Sequence, residues 1–112
     1  MNKGPADTEA FLEAFLGAAS ELSDQADLVI APNSLSIPTA SALINDINPA
    51  IGLAAQTVSE SDNGAFTGET STDMLKELFV NYVILGHSER RSIYGETNAQ
   101  INAKMKKALA AD

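Results

Sequence analysis

At 112 residues, with seven Lys and Arg against fifteen Asp and Glu, the chain is at most one ordinary domain, long enough to bury a core, with a formal charge of −8. That charge argues against a nucleic-acid or anionic-membrane surface, although a local pocket of backbone N–H groups still admits a phosphate. The absence of cysteine excludes a disulfide, a thiolate metal site and a cysteine nucleophile and suits a cytosolic protein; no apolar run approaches the ~20 residues of a membrane span, and the opening Met-Asn-Lys-Gly-Pro lacks the apolar core of a secretion signal.

In chain order, Gly4 and Pro5 mark a turn before a first helix, which Asp7 or Thr8 is placed to cap. Phe11, Leu12, Phe15, Leu16, Ala19 and Leu22 then recur at helical spacing, and the helix is expected to end near Ser23. Leu28, Val29 and Ile30 read as a short strand closed by Pro32 and Asn33. A second helix is expected from about Pro38 through Ala42, Leu43 and Ile44, stopped by Asn48 and Pro49. Ile51 to Ala55 is again strand-like and ends at Gln56.

Thr57 to Thr70 is rich in Ser, Asp, Asn, Gly and Thr, with Ala65 and Phe66 as an apolar island. A loop of this length is commonly functional, and the alternative is plain mobility. Phe66 counts against that alternative, because a loop tip seldom exposes an aromatic ring with nothing to cover it. Ser71 is placed to cap a third helix with Met74, Leu75, Leu78 and Phe79 toward the core. The last helix begins at Asn98, with Ile101, Met105, Ala108 and Leu109 expected inward and Lys104, Lys106 and Lys107 outward near its carboxyl end, where cations suit the helix dipole.

Between these two helices lies the most informative stretch, Tyr82 to Glu96. Tyr82, Val83, Ile84 and Leu85 read as a strand buried on both faces; Gly86, the single histidine His87 and a dense charged segment follow at its carboxyl end. In parallel α/β architectures ligands bind at that edge, because the loops leaving the strands converge there on a rigid base. A lone histidine is more often structural than chemical. Ser88 and Glu89 read by themselves as a surface turn, and Arg91 with Glu96 as a local salt bridge that fixes the loop.

The alternation of four helices with three strands predicts an α/β fold with a parallel sheet and right-handed crossovers. Three parallel strands cannot close a barrel and leave two unpaired edges, so residues 1–112 are expected to form a single incomplete domain.

Several motifs together resemble the triosephosphate isomerase family. They are AAQ at Ala54 to Gln56, GAFTGE at Gly64 to Glu69, YVILGHSERR at Tyr82 to Arg91 and YGET at Tyr94 to Thr97, in the family's order and spacing. Ile30 to Pro32 also matches the family's second strand, and Met1 with Asn2 resembles the tail of its Trp-Lys-Met-Asn segment. The resemblance implies part of a (β/α)8 TIM barrel, from an enzyme of glycolysis and gluconeogenesis that interconverts dihydroxyacetone phosphate and glyceraldehyde 3-phosphate by proton transfer through an enediolate. It implies a cytoplasmic homodimer with no metal or organic cofactor, binding neither nucleic acid nor membrane.

By match to the motif, His87 is the electrophilic histidine, Glu89 a carboxylate beside the substrate site, and Ser88 a serine that contacts the glutamate base in the open enzyme. Thr67, Gly68, Glu69 and Arg90 match dimer-interface residues, the first three on a loop that enters a pocket of the neighbouring subunit. Thr57 departs from the asparagine usual after AAQ, which leaves the detail of that interface edge open. The family's catalytic lysine, glutamate base and phosphate-binding glycines have no matching position in this chain, and Lys3 stands two residues after the matched methionine. The expectation is therefore an isomerase segment inactive alone, or alternatively a non-catalytic half-barrel interaction module that self-associates or pairs with a complementary fragment through its open strand edges. A free-standing phosphate-binding module is disfavoured, since no glycine-rich phosphate motif follows a strand.

Overall fold

The computed structural model describes Asn2 to Ala111, so the Met1 part of the opening match lies outside the described residues. Three strands, β1 (Val29–Ile30), β2 (Gly52–Ala55) and β3 (Tyr82–Val83), form one parallel sheet in the order β1-β2-β3. Val29 pairs with Gly52 and Ile30 with Leu53, while Ala54 pairs with Tyr82 and Ala55 with Val83. The expected alternation and parallel sheet are thus present, as an open sheet with β1 and β3 at its edges.

Helix α1 (Pro5–Ala18) starts earlier than expected: Gly4 is its N-cap, Pro5 occupies the first turn, and the Gly4 carbonyl accepts from the Thr8 N–H at 2.9 Å. Proline suits that position because its missing N–H has no intrahelical partner there. Leu12, Leu16 and Ala19 are buried, whereas Phe11 lies partly exposed, stacked on Phe15 at 5.4 Å. Helix α2 (Ile37–Ile47) follows a 3-10 turn over Ser34–Ser36 capped by Asn33 and presents Ile37, Ala40 and Ile44 to the core. These residues, with Leu53, Ala55, Val58 and Leu75, build one apolar cluster between the helices and the central strand β2.

Helix α3 (Thr72–Glu77) is capped as expected, Ser71 Oγ accepting from the Met74 N–H at 3.3 Å. Only Leu75 of its expected inward set is fully buried; Leu78 packs partly, and Met74 and Phe79 are exposed. Phe79 terminates the helix in the left-handed conformation, φ 57°. Its N–H bonds the Lys76 carbonyl and the Val80 N–H the Leu75 carbonyl, the double closure of a Schellman motif. That turn leaves Phe79 exposed.

Two further expectations fail. Tyr82 is 52% exposed and Ile84 partly so, and among the described residues no strand pairs with the outer side of β3, so this strand is an edge and is not buried. Helix α5 (Asn98–Ala110) buries Ile101 and Lys104, while Met105 and Leu109 are exposed. The face turned inward is rotated toward Lys104 because the buried carboxylate of Glu96 stands opposite. A short helix α4 (Ser88–Ser92) follows His87. The accessible surface is 7194 Å², against about 5,900 Å² for a closed monomer of this mass.

Candidate active site

The carboxyl ends of the three strands converge, and local sequence fixes what each presents. After β1, Asn33 donates through Nδ2 to the Lys3 carbonyl, and Ser36 Oγ lies 3.4 Å from the same oxygen. After β2, Gln56 Nε2 donates to the Ala31 carbonyl at 2.9 Å, tying the ends of the first two strands. These amides carry no apolar periodicity, and only their position after each strand marks them in the sequence. The Lys3 ammonium lies 5.5 Å from the Phe11 ring centroid, so its charge is held on α1.

After β3, Gly86 adopts φ 64°, a conformation that favours glycine. This turn delivers His87 to the N-cap of α4, where its Nδ1 accepts from the Glu89 N–H at 3.2 Å. A ring nitrogen that accepts an N–H carries no proton, so this contact selects, for the neutral imidazole, the tautomer with its proton on Nε2. The ring is half exposed, and the Glu89 carboxylate lies 3.8 Å from Nδ1. Ser88, Glu89 and His87 are therefore brought together at one turn. The backbone N–H directed at the ring is the contact expected of a helical turn beginning at Ser88.

Arg91 does not pair with Glu96. Its Nε donates to the Gly86 carbonyl at 2.9 Å and its Nη1 to Asn98 Oδ1 at 2.6 Å. Glu96 is buried and bonds Lys104 Nζ through Oε1, and Lys104 Nζ also lies 3.3 Å from Thr57 Oγ1. Arg90 Nε stands 3.7 Å from Glu96 Oε2 without a hydrogen bond, and its guanidinium covers the Tyr94 ring at 5.1 Å. A buried lysine between Ile101 and Met105 has no sequence signal of its own; Glu96 eight residues earlier is the residue that demands it.

Loop 57–70 is anchored at its base and open at its tip. Val58 and Ser59 are buried, the Ser59 N–H bonds the Thr70 carbonyl at 2.9 Å, and Lys107 pairs with Asp62 at 2.6 Å. Ser71 Oγ also bonds Asn63. Thr67, Gly68 and Glu69 are exposed with Phe66, and within the chain Arg90 faces Glu96 rather than Glu69. Among the described residues no group of three or more His, Asp or Glu is disposed to hold a metal ion, and no helix is long and apolar enough to cross a membrane.

A sequence model of the family described as "Triosephosphate isomerase" matches residues 1–112. The chain belongs to the triosephosphate isomerase family. Relatives named triosephosphate isomerase include that of Flavobacterium johnsoniae, 43% identical over all of this chain and 44% of its own length. That of Colwellia psychrerythraea is 50% identical over 81% of this chain and 36% of its own length, and that of Dictyoglomus thermophilum 44% identical over 97% and 43%. The chain thus spans less than half the length of these relatives. Its open parallel sheet, with a helix after each strand, fits part of the triosephosphate isomerase barrel, and the family is one of isomerases.

Proposed function

We propose that this chain is the segment of a cytoplasmic triosephosphate isomerase that supplies the electrophile and the dimer loop. The complete enzyme interconverts dihydroxyacetone phosphate and glyceraldehyde 3-phosphate, in glycolysis and gluconeogenesis, without a metal or organic cofactor. The observation that carries the reading is the Glu89 N–H bond to His87 Nδ1, which leaves an Nε2–H free to donate at the carboxyl end of β3. A glutamate base working with a neutral histidine is the established chemistry of triosephosphate isomerases. In that scheme His87 donates from Nε2 toward the substrate oxygens as the enediolate forms and dissolves. A preorganised donor aimed at developing charge stabilises the transition state more than the ground state. Glu89 is the carboxylate beside the substrate, and Ser88 the contact of the base in the open enzyme.

Thr67, Gly68 and Glu69 form the loop that enters a second subunit, with Arg90 at the same interface. The exposed tip on an anchored base supports this, and so does Phe66, which a neighbour would cover. Proton abstraction needs a base within hydrogen-bond reach; the family's base and lysine have no matched residue here, so the isolated chain is expected to be inactive in a steady-state isomerase assay. The positive test is a chimera in which these 112 residues replace their counterpart in the Flavobacterium johnsoniae isomerase. It should turn over, and His87→Asn should lower kcat by roughly 10²–10⁴-fold. A chimera indifferent to His87→Asn would overturn the assignment.

The second reading, a half-barrel that associates through its sheet edges, is favoured by one observation, the exposed β3 edge with Tyr82 on the strand and Ile84 just after it. Sedimentation of the chain as a stable folded monomer would count against it.

A further inference from the structure

Helix α4 is only five residues long, and a helix of that length has no appreciable stability of its own. It nevertheless has to hold His87 at its N-cap with Nδ1 on the Glu89 N–H. We propose that Arg91 is a positioning residue for His87, a brace that locks the Gly86–His87 turn onto the start of α5.

Arg91 closes on this turn twice. Its backbone N–H bonds the His87 carbonyl at 3.2 Å, and its side-chain Nε bonds the Gly86 carbonyl at 2.9 Å. The same planar group reaches outward through Nη1 to Asn98 Oδ1 at 2.6 Å. Asn98 is the first residue of α5, whose N-terminus is itself fixed by a capping box between Thr97 and Gln100. The guanidinium lies against Gly86, with Nη2 3.0 Å from where a Cβ would stand and Ile101 Cδ1 2.9 Å from the same point. Gly86 is thus held between α4 and α5 in the conformation that sets the direction of His87. Two donors in one rigid fork meet two acceptors belonging to different elements, a geometry that lysine cannot reproduce. The segment between the two helices, 93–97, is exposed at Ile93 and Tyr94 and tied down at Glu96, whose N–H bonds the Arg90 carbonyl at 2.9 Å; neither reaches the Gly86 carbonyl, which Arg91 holds.

The catalytic meaning of this brace rests on the role proposed for His87, whereas the brace itself is read from nuclei and needs no turnover. Because His87 is the only histidine, its imidazole gives one unambiguous pair of 15N signals. The chain is labelled with 15N, and the amide exchange of Glu89 is followed beside the His87 ring shifts at a pH where the ring is neutral. Arg91→Met should speed Glu89 exchange roughly tenfold, the loss of a charge-assisted bond, and move the ring shifts toward a mixed tautomer. The amides of Leu53 and Ala55 in β2 should not change. Unaltered Glu89 and His87 signals, or an acceleration shared equally by Leu53 and Ala55, would overturn the proposal. Should Arg91→Met lose its dispersed spectrum, Asn98 decides. Asn98→Ala removes the outer anchor and should speed Glu89 exchange about threefold, while Asn98→Asp keeps the acceptor and should hold it. Identical behaviour of the two Asn98 variants would overturn it.

Discussion

Gly86 is where a single methyl group would be felt at His87. Its φ of 64° costs an L-residue about 1–2 kcal/mol, and a Cβ there would also crowd Ile101 and Arg91. Gly86→Ala should therefore lower stability by at least ~1 kcal/mol in urea unfolding and shift the His87 ring signals together with it. The glycine and the histidine were legible as motif residues, because a strand followed by glycine and a polar cluster is a recognisable pattern. The proton's place on His87 was not, since it depends on where the Glu89 N–H points. Nor did the sequence tell Arg91 from Lys104 as the partner of Glu96: opposite charges five residues apart fit a salt bridge, but the buried Glu96 carboxylate meets Lys104 instead.

The ends of helices carry two further predictions. Phe79 closes α3 in the left-handed region with its ring 67% exposed, so little burial offsets the conformational cost. Phe79→Gly should stabilise the chain by roughly 0.5–1 kcal/mol, the relief of ~1–2 kcal/mol of strain less the added entropy of glycine in the unfolded chain. A melting temperature raised by a few degrees is the expected reading, and a lowered one would mean that the ring packs on something in solution. Lys104 is the opposite case, a charge 4% exposed and held by one carboxylate. Lys104→Met alone leaves the buried Glu96 without its hydrogen-bonded cation, with only Arg90 Nε 3.7 Å away, and should cost ~3 kcal/mol by denaturant titration. Pairing it with Glu96→Gln should recover much of that loss, because the penalty comes from the orphaned charge. The α5 face departs from its apolar stripe for the same reason: spacing alone places Met105 and Leu109 inward, while the ion pair turns Lys104 to that side.

At the scale of the molecule the dimensions agree with an open sheet. The radius of gyration is 14.6 Å, where about 13 Å is usual for this length. The surface exceeds that of a closed monomer by roughly 1,300 Å², on the order of one partner's share of a protein interface or more. Part of it lies along β3, whose outer backbone groups have no strand beside them among the described residues. Sedimentation of the chain should show association that grows with concentration, and Ile84→Lys on that edge should weaken it severalfold, as a charge does on an exposed strand. A concentration-independent monomer for both would show that the edge is silent in isolation.

The order of helices and strands, the parallel sheet, the cap at Ser71 and the family itself were set by sequence alone. Those features depend on local periodicity, on single capping side chains, or on motifs whose residues are contiguous. What faces what was decided by tertiary structure. Tyr82 is exposed because β3 is an edge, Phe79 because its helix ends in a left-handed turn, and Lys104 is buried because Glu96 is. Each of these depends on a neighbour distant in the chain or on a backbone angle, and side-chain type carries neither. The brace from Arg91 to Gly86 and Asn98 belongs to the same class, since its bonds exist only once α4 and α5 have met.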